Sequence, residues 1–204
     1  MEVKGFEVEG VIKVDNVRIY GLNESVIASG YPMQVDTFDM NKVVIGDKDL
    51  KRVKHLGNAT PGSGHDCFAK GVTVQFDLQV PEYIWRQLDR YHFIDYVSSQ
   101  SKMHRILKMD IDKACNKYVL ESTKTNLKSL IDLYNKETVD LAKKELFNHI
   151  IANTPCGLML TARMTTNYLQ LKSIVNQRGN HKMQEWRLLC DYFKTLPMFD
   201  MVCK

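Results

Sequence analysis

The sequence predicts a mixed α/β fold, and three features carry that prediction. Apolar residues alternate loosely with charged ones over residues 3–20, they alternate strictly over 71–80, and the second half spaces them at helical intervals. The chain has 204 residues, 44% hydrophobic and 25% charged, which is enough to bury a substantial core. No repeat, low-complexity tract or linker divides it, so one domain over 1–204 is expected.

Val3, Phe6, Val8, Val11, Ile12, Val14, Val17 and Ile19 define the first one or two strands. Residues 24–33 read as a short helix. Residues 47–56 read as another, with Asp47 as N-cap before Leu50 and Val53. The stretch GNATPGSGH, residues 57–65, concentrates the residues a chain uses to turn tightly or to bring backbone close to a ligand. In GVTVQFDLQV, Val72, Val74, Phe76, Leu78 and Val80 share one face of a strand. Pro81 then stands where a helix starts, and Ile84, Trp85 and Leu88 have helical spacing that sets Gln87 near Arg90. Leu127, Leu130, Ile131, Tyr134, Val139, Leu141, Ala142 and Leu146 describe an amphipathic helix over 123–147, broken near Asn135. After NTPCG a helix is expected over 158–175, and a last one over 181–193, ending before Pro197. The C-terminal half thus reads as mainly helical.

A net charge of +4 is too small for wholesale nucleic-acid binding but compatible with a local anion site. Trp85, Trp186 and the tyrosines are not interleaved with a basic stripe, which also argues against nucleic acid. No apolar run approaches the roughly 20 residues of a membrane span, and the start MEVKGFEVEG lacks signal-peptide character, so a cytoplasmic protein without a membrane partner is expected. Cysteines 67, 115, 156, 190 and 203 are odd in number and form no C-x-x-C pair. They indicate neither a disulfide framework nor a metal site. All five read as free thiols, with Cys115, Cys156 and Cys190 as small buried hydrophobes and Cys67, beside His65 and Asp66, kept open.

Two polar constellations stand out. RQLDRYHFIDYVSSQSKMHR, residues 86–105, gathers arginines, histidines, a lysine and serines suited to an anion. A charged helix followed by a solvated turn has the same composition. NYLQLKSIVNQRGNHKMQEW, residues 167–186, offers Asn167, Lys172, Asn176, Arg178, His181 and Gln184 as hydrogen-bonding groups, with Gly179 ending one helix and Trp186 read as core.

The order of these features, from Ser63-Gly64-His65-Asp66 through a strand, a helix with Arg86-Gln87, a triplet at 90–92 leading to Ser101, and a late Asn167, Arg178 and His181, resembles the flavin-dependent thymidylate synthase family. That family's motif is R-H-R followed by a run ending in N-E-x-S-x-R-Y, and the resemblance spans about 64–186. It implies an α+β subunit with a curved, mostly antiparallel sheet flanked by helices, assembled as a homotetramer with sites between subunits. It implies FAD as cofactor, NADPH and methylenetetrahydrofolate as co-substrates, and reductive methylation of dUMP to dTMP. The protein would mainly bind and orient reactants. Carried over by position, Arg178 and Ser101 would be the catalytic residues. His65, Arg90, His92, Asn167 and His181 would hold flavin, and Arg86, Gln87, Ser101 and Arg178 would hold the nucleotide.

The sequence departs from the motif at several positions. Tyr91 replaces the triplet's His and His92 its second Arg, Ser98 and Ser99 replace Asn and Glu, and Met103 and His104 replace Arg and Tyr. Ile151 falls where the family supplies a phosphate-binding Arg, for which Lys102, Arg105, His149 or Arg163 would have to compensate. Two further readings therefore stand beside thymidylate synthesis. One is a different flavin- or folate-linked modification of a pyrimidine deoxynucleotide, and the other is a non-catalytic nucleotide-binding relative.

Overall fold

The structure is a computed structural model and describes residues 1–36, 39–40, 44–60 and 62–202. The expected thiol of Cys203 lies outside the described residues. The chain opens with strands β1 (Glu2–Val3), β2 (Phe6–Val8) and β3 (Ile12–Tyr20), then helices α1 (Leu22–Ala28) and α2 (Asp47–Gly57). Strand β4 (Thr73–Pro81) runs into α3 (Glu82–Leu88), and β5 (Asp95–Ser99) into α4 (Lys102–Arg105) and α5 (Ile111–Ala114). Helices α6 (Glu121–Lys136) and α7 (Asp140–Ala152) precede β6 (Met159–Asn167), α8 (Tyr168–Arg178) and α9 (Gln184–Lys194).

The strands form one antiparallel sheet in the order β1-β3-β4-β6-β5, with β2 also paired to β3. The alternation over 71–80 holds: Val74, Phe76, Leu78 and Val80 are buried, while Thr73, Gln75, Asp77 and Gln79 line the opposite face. That second face is polar. Arg163 on β6 donates to the Asp77 carboxylate (3.1 Å) and to the Asn16 carbonyl (2.7 Å). On the core face, Phe76 meets Phe193 of α9 edge-on at 5.7 Å between ring centres, and Trp186 and Leu189 are buried with it.

The helix expected over 158–175 is overturned at its first half. Residues Met159–Asn167 are a strand paired along their whole length with β4, and helix begins only at Tyr168. Leu158, Met159, Leu160, Ala162 and Met164 are helix formers in isolation, but Ala162, Met164 and Thr166 bury at period two between β4 and β5. Sheet pairing therefore overrides propensity, aided by β-branched Thr161, Thr165 and Thr166. Two smaller corrections follow the same logic of local bonding. Asp47 is the first residue of α2, capped instead by Gly46, whose N–H donates to the Asp49 carboxylate (3.0 Å). The helix expected over 24–33 ends at Ala28, and Tyr31–Met33 form a separate 3₁₀ turn.

The expected break near Asn135 falls at residues 137–139, between α6 and α7. These helices and α5 surround a second apolar cluster of Ile106, Ile111, Leu127, Ile131, Ile150 and Leu158, joined to the main core through Leu160. No helix of the described residues is long and apolar enough to cross a membrane.

Candidate active site

The two constellations meet within this one chain. Arg178, the last residue of α8, donates from Nε to the Tyr91 hydroxyl (2.7 Å), across 87 positions of sequence. Its guanidinium carbon lies 4.9 Å from the ring centre of Trp186 and 5.5 Å from that of Tyr91. A charge-assisted hydrogen bond contributes roughly 1.5–3 kcal/mol, and each cation–π contact about 0.5–2 kcal/mol, so the guanidinium has a fixed plane. Among the described residues its two terminal nitrogens have no protein partner, which leaves their N–H groups for a ligand. Trp186 is fully buried, as expected of a core residue, and donates from Nε1 to Gln87 Oε1 (2.9 Å). Gln87 Nε2 in turn donates to the Tyr83 carbonyl (3.3 Å). Gln87, Tyr91, Arg178 and Trp186 are therefore one mutually braced group.

His181 completes it. Its Nδ1 accepts from the Met183 N–H (3.1 Å), and its ring meets Trp186 edge-on at 6.2 Å. Burial, then the charges of Arg178, Arg187 and Lys182, hold its imidazole below the ordinary histidine range. A neutral ring whose Nδ1 accepts carries its proton on Nε2, so His181 offers a neutral N–H donor. Behind the group, the Tyr83 hydroxyl donates to the buried Glu185 carboxylate and accepts from Asn116 Nδ2 (2.9 Å). Burial, with the Glu185 charge, pushes the Tyr83 phenol well above its usual range.

A cavity of about 630 Å³ opens between residues 62–70, Phe93 and α8; none of Gln87, Tyr91, Arg178, His181 and Trp186 lines it, but Gln177, next to Arg178, and Phe93, two residues from Tyr91, do. Asn167 stands at its mouth as N-cap of α8, its Oδ1 accepting from the Gln170 N–H (3.0 Å). Lys172, expected to face a ligand, lines this cavity but is buried and committed to protein partners. It donates to the Asp66 carboxylate (2.6 Å) and the Gly57 carbonyl (2.7 Å), pinning both ends of the 57–66 turn. Within that turn Gly62 (φ 83°) and Gly64 (φ 77°) adopt left-handed backbone, consistent with the expected tight turn. His65 is exposed on it, and Cys67 is exposed on the cavity wall.

Phe93 also lines this cavity and no sequence signal singled it out. It has φ 62°, a left-handed conformation that costs a non-glycine residue roughly 1–2 kcal/mol, and the residue is 69% exposed. The buried Thr166 hydroxyl donates to its carbonyl (2.8 Å) and holds it there.

The remaining expected site residues are exposed and apart from the braced group. Arg86 pairs with Glu82 (3.4 Å), which also binds Lys102 (3.2 Å). Arg90 and His92 make no hydrogen bond or ion pair among the described residues. Ser101 caps α4, its Oγ accepting from the His104 N–H (3.4 Å). Of the groups named to replace a charge at Ile151, Arg163 is committed to Asp77 and Lys102 to Glu82, while Arg105 and His149 are exposed. Cys115 and Cys190 are buried as expected. Cys156, expected to be buried, is exposed in the turn before β6.

This fold is similar to that of the flavin-dependent thymidylate synthases. The structure of flavin-dependent thymidylate synthase ThyX from Helicobacter pylori, complexed with FAD and dUMP, matches at TM-score 0.67 and 13% identity, covering 94% of this chain and 99% of that one. A second structure of that enzyme with FAD and dUMP matches at TM-score 0.68 and 13% identity over 93% and 95% of the two chains. The UMP/dUMP methylase PolB from Streptomyces cacaoi, bound with 5-Br dUMP, matches at 0.63 and 13% identity over 93% and 91%. No family model and no curated protein matches the sequence.

Proposed function

We propose that this chain is a flavin-dependent thymidylate synthase-like enzyme that reductively methylates dUMP to dTMP, with methylenetetrahydrofolate and NADPH as co-substrates. The observation that carries this reading is the braced group of Gln87, Tyr91, Arg178 and His181, which unites two distant constellations beside a cavity. The ligands named for the Helicobacter structures, FAD and dUMP, support it. The cavity suits a flavin, because its lining combines apolar Phe93 and Leu169 with polar Asn167, Gln170, Ser173 and Gln177.

In this reading Arg178 turns its free N–H groups to the pyrimidine carbonyls and stabilises negative charge developing on the base. Tyr91 and Trp186 keep that guanidinium in plane, and His181 donates its Nε2 proton as a neutral hydrogen bond. Gln87 is fixed beside the base by Trp186. Asn167 lines the flavin pocket and His65 stands on the turn that forms one of its walls, and bound flavin would supply the redox capacity of the reaction. The exposed Arg86, Arg90, His92 and Ser101 then act across a subunit boundary, on the nucleotide phosphate or the flavin of a neighbouring copy. The exposed edge strand β5, with Tyr96 44% and Val97 55% exposed, supports a homotetramer with shared sites, each chain acting as one unit in the cytoplasm.

One observation favours a second reading, another modification of a pyrimidine nucleotide. The triplet is altered at Tyr91 and His92, Ile151 brings no charge, and the cations named to replace it are either committed elsewhere or exposed. Similarity to a UMP/dUMP methylase supports that alternative. Incubation of the purified protein with FAD, NADPH, methylenetetrahydrofolate and dUMP or UMP, with product mass analysis, separates the two. Formation of dTMP is expected, methylation of UMP alone selects the second reading, and no product with either nucleotide contradicts both.

A further inference from the structure

We propose that Phe93 is a stacking platform, presenting its ring to the face of a flat heteroaromatic ligand in the cavity between residues 62–70 and α8. Three independent features point there. A large apolar residue that lines that cavity is 69% exposed, where burial would have been favourable. Its backbone sits in the left-handed region, which a bulky residue avoids unless its surroundings impose it. Those surroundings are specific, since the buried Thr166 hydroxyl donates to the Phe93 carbonyl (2.8 Å) from the strand that ends at Asn167, and Ile94 beside it is buried in the core. The chain thus keeps a strained residue to hold an aromatic face in solvent. An aromatic face unmatched by protein is a partner for a conjugated ring, and stacking tolerates any such ring.

The inference rests on the proposed function only for the identity of the ring, the flavin on that reading and the pyrimidine otherwise. Asn167, Ser173 and Lys70, which also line the cavity, are groups that fit the polar edge such a ring carries.

The test titrates the full chain and its Phe93→Leu, Phe93→Trp and Phe93→Gly variants with FAD, followed by fluorescence quenching, and separately with deoxyuridylate, followed by calorimetry. Phe93→Leu is expected to weaken the ring-bearing ligand about 10-fold or more, and Phe93→Trp to keep affinity within about 3-fold. Phe93→Gly is expected to lose affinity while matching or exceeding the thermal midpoint of the parent, because glycine relieves the left-handed strain. FAD binding unchanged in Phe93→Leu overturns the platform and leaves the flavin reading intact. If FAD fails to bind the parent but deoxyuridylate binds and is weakened in Phe93→Leu, the platform stands and the flavin reading falls. Failure of the parent to bind either ring, or a clear drop in the midpoint of Phe93→Gly, overturns the proposal.

Discussion

Arg178 shows how a position read from sequence acquires its meaning from residues that were not. Its hydrogen bond to the Tyr91 hydroxyl (2.7 Å from Nε) and its guanidinium carbon 4.9 Å from the Trp186 ring centre orient the guanidinium. Tyr91→Phe keeps the ring and removes only that acceptor. We expect deoxyuridylate affinity to fall about 10-fold with little change in melting temperature, since one charge-assisted bond is worth roughly 1.5–3 kcal/mol. Arg178→Ala, measured by the same calorimetry, is expected to cost at least as much again. His181 carries a pH signature. Its folded imidazole binds protons less readily than the unfolded one at 6.5, so between the folded value and 6.5 the unfolded state holds more protons and stability falls as pH falls. Urea melts of the parent are expected to lose stability below about pH 6.5, and His181→Gln to show a shallower loss. Gln87, Arg178, His181 and Trp186 were legible as residue types. Tyr91 was legible only as a departure from the triplet and Phe93 not at all, because a hydroxyl 87 positions from its partner and a left-handed φ leave no local pattern.

Among the elements, β4 and β6 show why one was readable and the other was not. Residues 73–81 alternate valine, phenylalanine and leucine with polar residues, a period-two signal that no helix imitates. Residues 159–167 bury Ala162, Met164 and Thr166 at the same period, but the helix-forming methionines, leucine and alanine among them hide it until β4 and β5 supply hydrogen bonds on both sides. The turn at 57–66 was legible from its glycines, but its anchor was not, because Lys172 lies on α8, 106 positions from Asp66. Lys172→Met would leave the little-exposed Asp66 carboxylate without its cation. We expect a loss of about 3 kcal/mol in denaturant unfolding, together with weaker FAD binding as the turn loosens. Full stability in that variant would show that the pair contributes nothing net.

For the molecule as a whole, the sheet has one face under helices and an edge, β5, whose five residues are all exposed. Exposed edges with apolar residues invite pairing, and the expected site residues Arg90, His92 and Ser101 flank that edge. A four-chain species in sedimentation velocity is expected for the parent, and Val97→Lys should shift it to smaller species with loss of nucleotide binding. The class of the fold was legible from alternation and helical spacing, and the order of polar groups pointed to the family whose architecture it resembles. The proposed joint flavin and nucleotide site is tested most directly by the visible absorption spectrum of the purified protein with FAD, before and after deoxyuridylate. A bound-flavin spectrum that shifts on adding the nucleotide is the predicted result. A spectrum identical to free FAD in both states would contradict an adjoining flavin and pyrimidine site in this chain.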